Sequence, residues 1–205
     1  MRAIRPQSGF KYLIGIDEVG RGPIAGPVAV GAFCISIANL AKVRRIFRGV
    51  KESKQLSETQ REGWFGIIQQ SKKVDLVDFA VTFQSEKIID VNGLSYAIKM
   101  ALRVSLNNVA SDKSQQYRVL LDGGLKAPLE FTNQKTIIKG DEKEMIIALA
   151  SICAKVLRDR KMNVLAKTHP EYGFERHKGY GTRAHYAAIK KHGILPLHRK
   201  SFLKN

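Results

Sequence analysis

Apolar residues occur along this chain in short runs that polar segments and glycines separate. Brief runs rich in Val, Ile, Ala and Phe are typical of β-strands, whereas apolar residues repeated every three or four positions are typical of helices. Strands are predicted over residues 12–16, 27–37, 74–83, 118–121 and 136–138. Helices are predicted from Ser57 to about 73, from Ser85 and Asn92 to about 109, over 144–166 and over 182–191. This order predicts an α/β fold in which helices flank a mixed sheet.

The whole chain, residues 1–205, is expected to form one domain, because no repeat, low-complexity tract or Gly/Ser linker interrupts the pattern. The uncharged stretch 22–41 is long enough to span a bilayer. It contains two prolines and three glycines, however, so we expect a loop that leads into a buried strand and no membrane segment. Cys34 and Cys153 lie inside apolar runs without zinc-site spacing, which favours buried thiols in a reducing cytoplasm.

Composition adds a functional signal, since 35 Lys and Arg residues outnumber 18 Asp and Glu residues and give a net charge of +17. A surplus this large favours a polyanionic partner, most often nucleic acid. Charge alone leaves two classes of protein open. One is an enzyme that acts on nucleic acid, and the other is a non-catalytic basic protein that binds it.

Two acidic residues stand at informative places, the carboxyl ends of predicted strands. Asp17 and Asp122 each end an apolar strand, and glycines follow both. Ligands of α/β sheets gather beyond the carboxyl ends of strands, so these acids meet there if their strands are parallel neighbours. Glu18 follows Asp17 and points to the opposite face of an ideal strand. The strand is therefore expected to end or bend at this point.

A third acid falls on the predicted long helix at a position that should be buried. Asp159 continues an apolar stripe formed by Met145, Leu149, Ile152 and Val156. An unpaired carboxylate is very costly to bury, so Asp159 needs a partner. It either ligates a metal or pairs with Arg158, Arg160 or an arginine from elsewhere, and the sequence leaves these alternatives about equal.

Asp17, Glu18, Asp122 and Asp159 would together form one carboxylate cluster, in which a cation offsets the repulsion of like charges. Hard oxygen ligands select Mg²⁺ or Mn²⁺ rather than zinc. Two such ions roughly 4 Å apart can hold a phosphodiester, activate the attacking water and stabilise the leaving oxygen. An acidic site in a basic protein therefore indicates phosphoryl chemistry on nucleic acid.

Four segments and the tail match a known family in its order. They read GIDEVGRGP at 15–23, LDG at 121–123, ASICAKVLRD at 150–159, HKGYGT at 177–182 and HRKSF at 198–202. These segments resemble type 2 ribonuclease H (ribonuclease HII) and span nearly the whole chain. Relatives within the same fold are alternatives. Ribonuclease HIII usually carries an extra N-terminal domain, whereas here the first catalytic strand starts near Met1, and junction resolvases are normally dimeric.

The resemblance implies a ribonuclease H-like fold: a mixed five-stranded sheet with an antiparallel second strand, flanking helices, and a C-terminal helical substrate-binding region over about 168–205. It implies an endonuclease that hydrolyses the RNA strand of RNA–DNA hybrids and cuts 5′ of single ribonucleotides in duplex DNA, leaving 3′-hydroxyl and 5′-phosphate ends. Its catalytic, metal-binding carboxylates would be Asp17, Glu18, Asp122 and Asp159. The cofactor would be Mg²⁺ or Mn²⁺, with two ions when substrate is bound, in a cytoplasmic monomer.

The resemblance also implies the substrate contacts. The Gly20-Arg21-Gly22 loop would read the ribonucleotide's 2′-hydroxyl, the group that distinguishes RNA from DNA, and Tyr180 would pack on the adjoining deoxyribose. Ser53 and Lys54 lie in KESKQLS at 51–57, which resembles the family's phosphate-binding segment, although it departs at two of its positions.

Roles near the C-terminus stay open at this point. His177, close to Tyr180 in the sequence, is a candidate for contact with substrate, and Arg199 and Ser201 are candidates for phosphate contacts. The remaining histidines with a predicted location, His169, His185 and His192, are expected at the surface.

Overall fold

A five-stranded sheet forms the centre of the computed structural model, which describes residues 9–110 and 116–203. The strands are β1 (Tyr12–Val19), β2 (Val28–Ser36), β3 (Asp78–Gln84), β4 (Tyr117–Asp122) and β5 (Gln134–Ile137). Their order across the sheet is β3-β2-β1-β4-β5. Strand β2 is antiparallel to both neighbours, whereas β1, β4 and β5 are parallel. The mixed sheet with an antiparallel second strand is confirmed, while the expected domain limits at residues 1 and 205 lie outside the described residues.

Helices connect and cover the strands. They are α1 (Leu40–Ile46), α2 (Glu58–Lys73), α3 (Glu86–Asn92), α4 (Leu94–Val109), α5 (Gly140–Lys143), α6 (Met145–Thr168), α7 (Phe174–His177) and α8 (Arg183–His192). Ser57, Ser85 and Thr182 cap α2, α3 and α8, because each hydroxyl accepts a backbone hydrogen bond from the first turn. The prediction that Asn92 begins a helix is wrong. Asn92 ends α3, and Gly93 precedes α4.

Apolar side chains cover both faces of the sheet. Leu13 and Phe33 belong to the cluster packed against α2 and α6, whereas Ile14 and Ile16 belong to the cluster packed against α4. This alternation along β1 is the period-two pattern of a strand buried on both sides. Consecutive side chains of β1 therefore face different helices, α2 and α6 on one side and α4 on the other.

Helix α6 lies directly on the backbone of β1 and β2. A β-carbon at Gly15 would lie 2.3 Å from the Ile146 carbonyl oxygen, and one at Gly31 would lie 2.4 Å from that of Ala150. Any side chain at these positions would push the helix away, so glycine is required. The close approach brings Ser151 of α6 within hydrogen-bonding reach of Asp17 at the end of β1.

The C-terminal region packs on the second half of α6 and on the segment that precedes β2. Its small core contains Met162 and Ala166 of α6 together with Ala25, Tyr172 and Phe174. Segment 22–27 forms the loop expected before β2, and Cys34 and Cys153 are both buried free thiols. No helix in the described part of the chain is long and apolar enough to cross a bilayer.

Candidate active site

The carboxyl ends of β1 and β4 form an acidic edge of the sheet. The two strands are parallel neighbours whose paired residues end at Ile16 and Leu121, so Asp17 and Asp122 follow side by side. The condition under which the two acids were expected to meet, that their strands are parallel neighbours, is therefore fulfilled. The Asp122 carboxylate accepts a hydrogen bond from the backbone N–H of Gly140, which ties it to the start of α5.

The expectation that β1 ends or bends at Asp17 is wrong. Strand β1 continues beside β2 as far as Val19, so Asp17 faces α6 and Glu18 faces the opposite side, where it lines a second cleft together with residues of α4. Both acids nevertheless line one cleft. The reason is that β1 pairs with β4 only as far as Ile16. The edge of β1 that faces β4 is therefore unpaired from Asp17 to Val19.

Burial and like charge act on both acids. Burial raises the pKa of Asp17 well above its usual value, a hydrogen bond with Ser151 opposes the shift, and nearby Glu18, Asp122 and Asp141 raise the pKa further. Burial also raises the pKa of Glu18, while a 2.8 Å hydrogen bond from Arg21 Nη1 to Glu18 Oε1 lowers it. Among the described residues, the buried Oε2 of Glu18 has no hydrogen-bond partner.

Asp141 is a member of the acidic edge that the sequence analysis missed. It lies in α5, four positions after the last residue of β5, with only 4% of its surface exposed. Its charge contributes to the raised pKa of Asp17, and its Oδ2 lies 3.6 Å from Lys54 Nζ. The position after the third parallel strand is the signal that could have identified it, by the rule that pointed to Asp17 and Asp122.

Asp159 is buried, as its place on the helical stripe predicts, but it does not line the cleft. Its Oδ1 lies 2.7 Å from Lys155 Nζ and its Oδ2 lies 3.6 Å from Arg61 Nη2. These cations supply the partners that a buried carboxylate needs. The geometry therefore favours the ion-pair alternative over a metal-binding role for Asp159, and the pairing arginine comes from α2.

The predicted substrate-binding residues meet at the acidic edge. A cleft of about 220 Å³ is lined by Gly20, Arg21, Gly22, Ser53, Lys54 and Tyr180 together with Asp17, Glu18 and Asp122. Tyr180 is 44% exposed, and its ring lies close to Gly22. Of the ten catalytic and substrate-binding residues that the family resemblance implies, nine therefore line one cleft, which Asp159 does not join.

The two residues of the predicted phosphate-binding segment differ in accessibility. Ser53 is buried, and its hydroxyl lies 2.8 Å from the Ser151 hydroxyl. The Lys54 side chain is 79% exposed and can turn toward a ligand. Lys155, which the sequence analysis did not assign, lines the same cleft from α6. Lys54 and Lys155 therefore place positive charge beside the buried acids.

Two expectations for the C-terminal region are not met. Arg199, a candidate for phosphate contact, is fully buried and donates to backbone carbonyls rather than facing solvent. Ser201 is exposed and its hydroxyl donates to Asp90, so its candidate role in phosphate contact stays a prediction. His185, expected at the surface, is fully buried in α8. His177 stacks on His185 with 4.3 Å between ring centroids, and its Nε2 lies 2.8 Å from the Tyr172 carbonyl oxygen.

The acidic edge fits a hard divalent cation. Its ligands would all be carboxylate oxygens, and the partnerless Oε2 of Glu18 is the kind of buried atom that a cation would satisfy. Asp141 extends this edge to Glu52 and Glu142, whose carboxylate oxygens lie within 4.8 Å of its own. Asp17, Glu18, Asp122 and Asp141 are the residues best placed to hold such ions.

This chain is similar to known protein sequences along most of its length. The family model described as Ribonuclease HII matches residues 14–205. A protein named Ribonuclease HII from Clostridioides difficile (strain 630) is 42% identical over 197 residues, which are 96% of this chain and 72% of that protein.

Solved structures share the fold. The ribonuclease H2 from Pyrococcus horikoshii OT3 has a TM-score of 0.69 and 30% identity, and the match covers 93% of each chain. The structure of Bst-RNase HIII in complex with Mn²⁺ has a TM-score of 0.66 and 23% identity, and covers 91% of this chain and 64% of that one. The chain belongs to the ribonuclease HII family of metal-dependent endoribonucleases, which act on RNA–DNA hybrids.

Proposed function

We propose that this enzyme cuts duplex DNA on the 5′ side of a single embedded ribonucleotide, in addition to the RNA strand of hybrids, and leaves 3′-hydroxyl and 5′-phosphate ends. The observation that carries this proposal is the single cleft that joins the Gly20-Arg21-Gly22 loop and Tyr180 to Asp17, Glu18 and Asp122. Groups suited to reading a sugar and groups suited to hydrolysing a phosphodiester thus border the same space.

Asp17, Glu18, Asp122 and Asp141 would hold two divalent cations, Mg²⁺ or Mn²⁺, when substrate is bound. The ions would supply Lewis-acid activation of the scissile phosphodiester and of the attacking water. The protein's own contribution is positional, since β1 and β4 fix three of the acids and the Gly140 N–H holds the Asp122 carboxylate. The hydrogen bond from Arg21 orients one oxygen of Glu18, and the other has no hydrogen-bond partner among the described residues.

The remaining residues of the cleft would bind the nucleic acid. Lys54 and Lys155 carry charges that complement a phosphodiester backbone, and the backbone at Gly20 and Gly22 can approach a ribose closely. The half-exposed ring of Tyr180 offers a flat apolar surface for the neighbouring deoxyribose. The C-terminal helical region that carries Tyr180 would serve as the substrate-binding part of one domain, in a cytoplasmic monomer.

A duplex DNA that contains one ribonucleotide tests the proposal directly. With Mg²⁺ or Mn²⁺ we expect one cut, 5′ of the ribonucleotide, and a product that a DNA polymerase extends from its 3′-hydroxyl. EDTA should abolish the cut because the acidic edge needs its cations. Cleavage that survives EDTA, or equal cleavage of an all-DNA duplex, would contradict the proposal. Binding without any cutting would instead favour a non-catalytic basic protein.

The Tyr180→Ala variant is expected to lower kcat/KM on the single-ribonucleotide duplex about tenfold, the size of one lost aromatic contact with a nucleotide. A long RNA–DNA hybrid should be affected less, because it has no deoxyribose beside the ribonucleotide in the cut strand. Tyr96→Ala is the matched control, since Tyr96 is exposed to a similar extent (46%, against 44% for Tyr180) but does not line the cleft. Equal losses on both substrates would indicate a structural role for Tyr180.

A further inference from the structure

Two arginines, Arg158 and Arg199, are fully buried beside the cleft without a carboxylate partner. Each has 0% of its surface exposed, and no described acid lies within ion-pair distance of either. Burying a guanidinium is costly unless its donors are satisfied. Here backbone carbonyls satisfy them, and those carbonyls belong to the segments that border the cleft.

Arg199 spans the loop between β1 and β2. Its Nη2 donates to the Gly20 carbonyl oxygen at 2.7 Å, its Nη1 donates to that of Arg21 at 3.0 Å, and its Nε donates to that of Gly26 at 2.9 Å. The backbone N–H of Arg199 also donates to the Ile24 carbonyl oxygen at 2.7 Å. Arg199, in the C-terminal segment after α8, thus holds both ends of the loop over residues 20–27.

Arg158 connects the same loop to the segment that carries Tyr180. Its Nε donates to the Pro27 carbonyl oxygen at 2.9 Å, and its Nη1 donates to that of Lys178 at 3.0 Å. Gly20 has a φ of +93°, and a β-carbon there would lie 2.3 Å from Arg158 Nε. The absence of a side chain at Gly20 therefore lets the loop lie directly on this buried guanidinium.

We propose that Arg199 is a positioning residue that holds the Gly20-Arg21-Gly22 backbone in its substrate-reading conformation, so that the C-terminal tail sets discrimination for ribonucleotides. The idea rests on the function proposed above. The planar guanidinium of Arg199 is needed because each of its three nitrogens donates to a different carbonyl oxygen. The single ammonium nitrogen of a lysine cannot reach all three carbonyls. Arg199 does not line the cleft, so it would act through the loop and not on the reacting atoms.

The Arg199→Lys variant keeps the charge and removes the planar guanidinium. We expect kcat/KM on the single-ribonucleotide duplex to fall about tenfold more than on a long RNA–DNA hybrid, mainly through KM, as loss of one charge-assisted hydrogen bond predicts. Amide hydrogen exchange should accelerate at residues 24–26, whose backbone N–H groups are hydrogen-bonded in this loop, and remain unchanged in β1, β4 and α6. Arg176→Lys, at a side chain that is 87% exposed, is the control and should change neither quantity.

A substitution at Asp90 tests the same proposal if the Arg199→Lys variant does not fold. Asp90 accepts hydrogen bonds from the backbone N–H groups of Lys200 and Ser201, at 2.8 and 3.0 Å, and so holds the tail from outside. Asp90→Ala should produce the same loop-specific acceleration of exchange in smaller degree. The proposal is overturned if exchange accelerates uniformly through the fold in whichever variant folds. If the wild type does not cut the single-ribonucleotide duplex, the proposed function fails, and the exchange measurements alone decide the role of Arg199.

Discussion

Replacing Asp17 with Asn is expected to lower the single-turnover rate of RNA cleavage in a hybrid about a hundredfold or more. Asp17 is buried two residues before the end of β1, near Glu18, Asp122 and Asp141. Asn keeps its volume but lacks the negative charge that a cation requires. Affinity for the duplex should remain largely intact, because the basic surface supplies it. Cleavage rates and binding curves measured on the same hybrid test both statements, and a parallel loss of binding and activity would contradict them.

The same variant should be more stable than the wild type when divalent ions are absent. Burial and three neighbouring carboxylates disfavour the charge of Asp17, so its removal is expected to raise the free energy of unfolding in EDTA by roughly 0.5–2 kcal/mol. Mg²⁺ should stabilise the wild type by binding the native state and stabilise the variant less. Urea unfolding of both proteins, with EDTA and with Mg²⁺, measures the two differences.

Asp159→Asn is the matched control for this measurement. Asp159 is buried to a similar extent, but its neighbours are the cations of Lys155 and Arg61. Asn would leave those cations without their counter-charge and lower the free energy of unfolding by at least about 1 kcal/mol. The two substitutions should therefore change stability in opposite directions. Destabilisation by Asp17→Asn, with no response of the wild type to Mg²⁺, would argue against a carboxylate cluster at the acidic edge.

The contrast between Asp17 and Asp159 shows what sequence patterns can predict. An apolar strand that ends in an acid and a glycine identified β1 and β4, and their parallel pairing brought Asp17 and Asp122 together. A helical stripe identified Asp159 as buried but carried no information about its partner. Lys155, the nearer partner, lies one turn away on the same helix, but Arg61 belongs to α2, which is distant in sequence. The ion pair with Arg61 therefore depends on the packing of α2 on α6, which the stripe does not show.

The sequence patterns did not identify Asp141 or the roles of the buried arginines, for two separate physical reasons. Strand β5 has only four residues, none of them fully buried, and Asp141 follows it by four positions. The short strand predicted over 136–138 therefore did not end in an acid and did not single out Asp141. Arg158 and Arg199 are charged residues whose partners are backbone carbonyls, and any residue type can supply a carbonyl. Hydrophobic periodicity identifies residues that are buried for their apolar surface and cannot identify a guanidinium that is buried for its hydrogen bonds.

Stability in mild acid should fall because of a histidine pair in the C-terminal region. His185 Nδ1 lies 2.9 Å from the Tyr180 carbonyl oxygen, so Nδ1 carries the proton that it donates. The Leu195 N–H donates to His198 Nδ1 at 2.9 Å, so the proton of His198 is on Nε2. The two Nε2 atoms lie 3.1 Å apart, and His198 donates to His185. Both rings are therefore neutral, and one further proton would place two N–H groups against each other.

The pKa of His185 is lowered to about 4, mainly by burial and also by nearby His177 and His198, while the hydrogen bond to the Tyr180 carbonyl opposes the shift. Between pH 6.5, the usual value, and about pH 4, the unfolded chain binds a proton at this position and the folded chain does not. This contribution to stability is therefore complete above pH 6.5 and is lost as the pH falls. The full loss is on the order of 3 kcal/mol, because each unit of pKa difference is worth about 1.4 kcal/mol.

The free energy of unfolding in urea, measured from pH 8 to pH 4, tests this expectation by comparison of variants. His185→Gln should be less stable than the wild type at pH 8 and should lose less stability on acidification, so the two curves converge toward pH 4. Carboxylates that titrate in the same range contribute equally to both proteins and cancel in the difference. His192→Gln, at an exposed position on the same helix, should follow the wild-type curve. Parallel curves for the wild type and His185→Gln would show that the buried histidine pair does not control stability in acid.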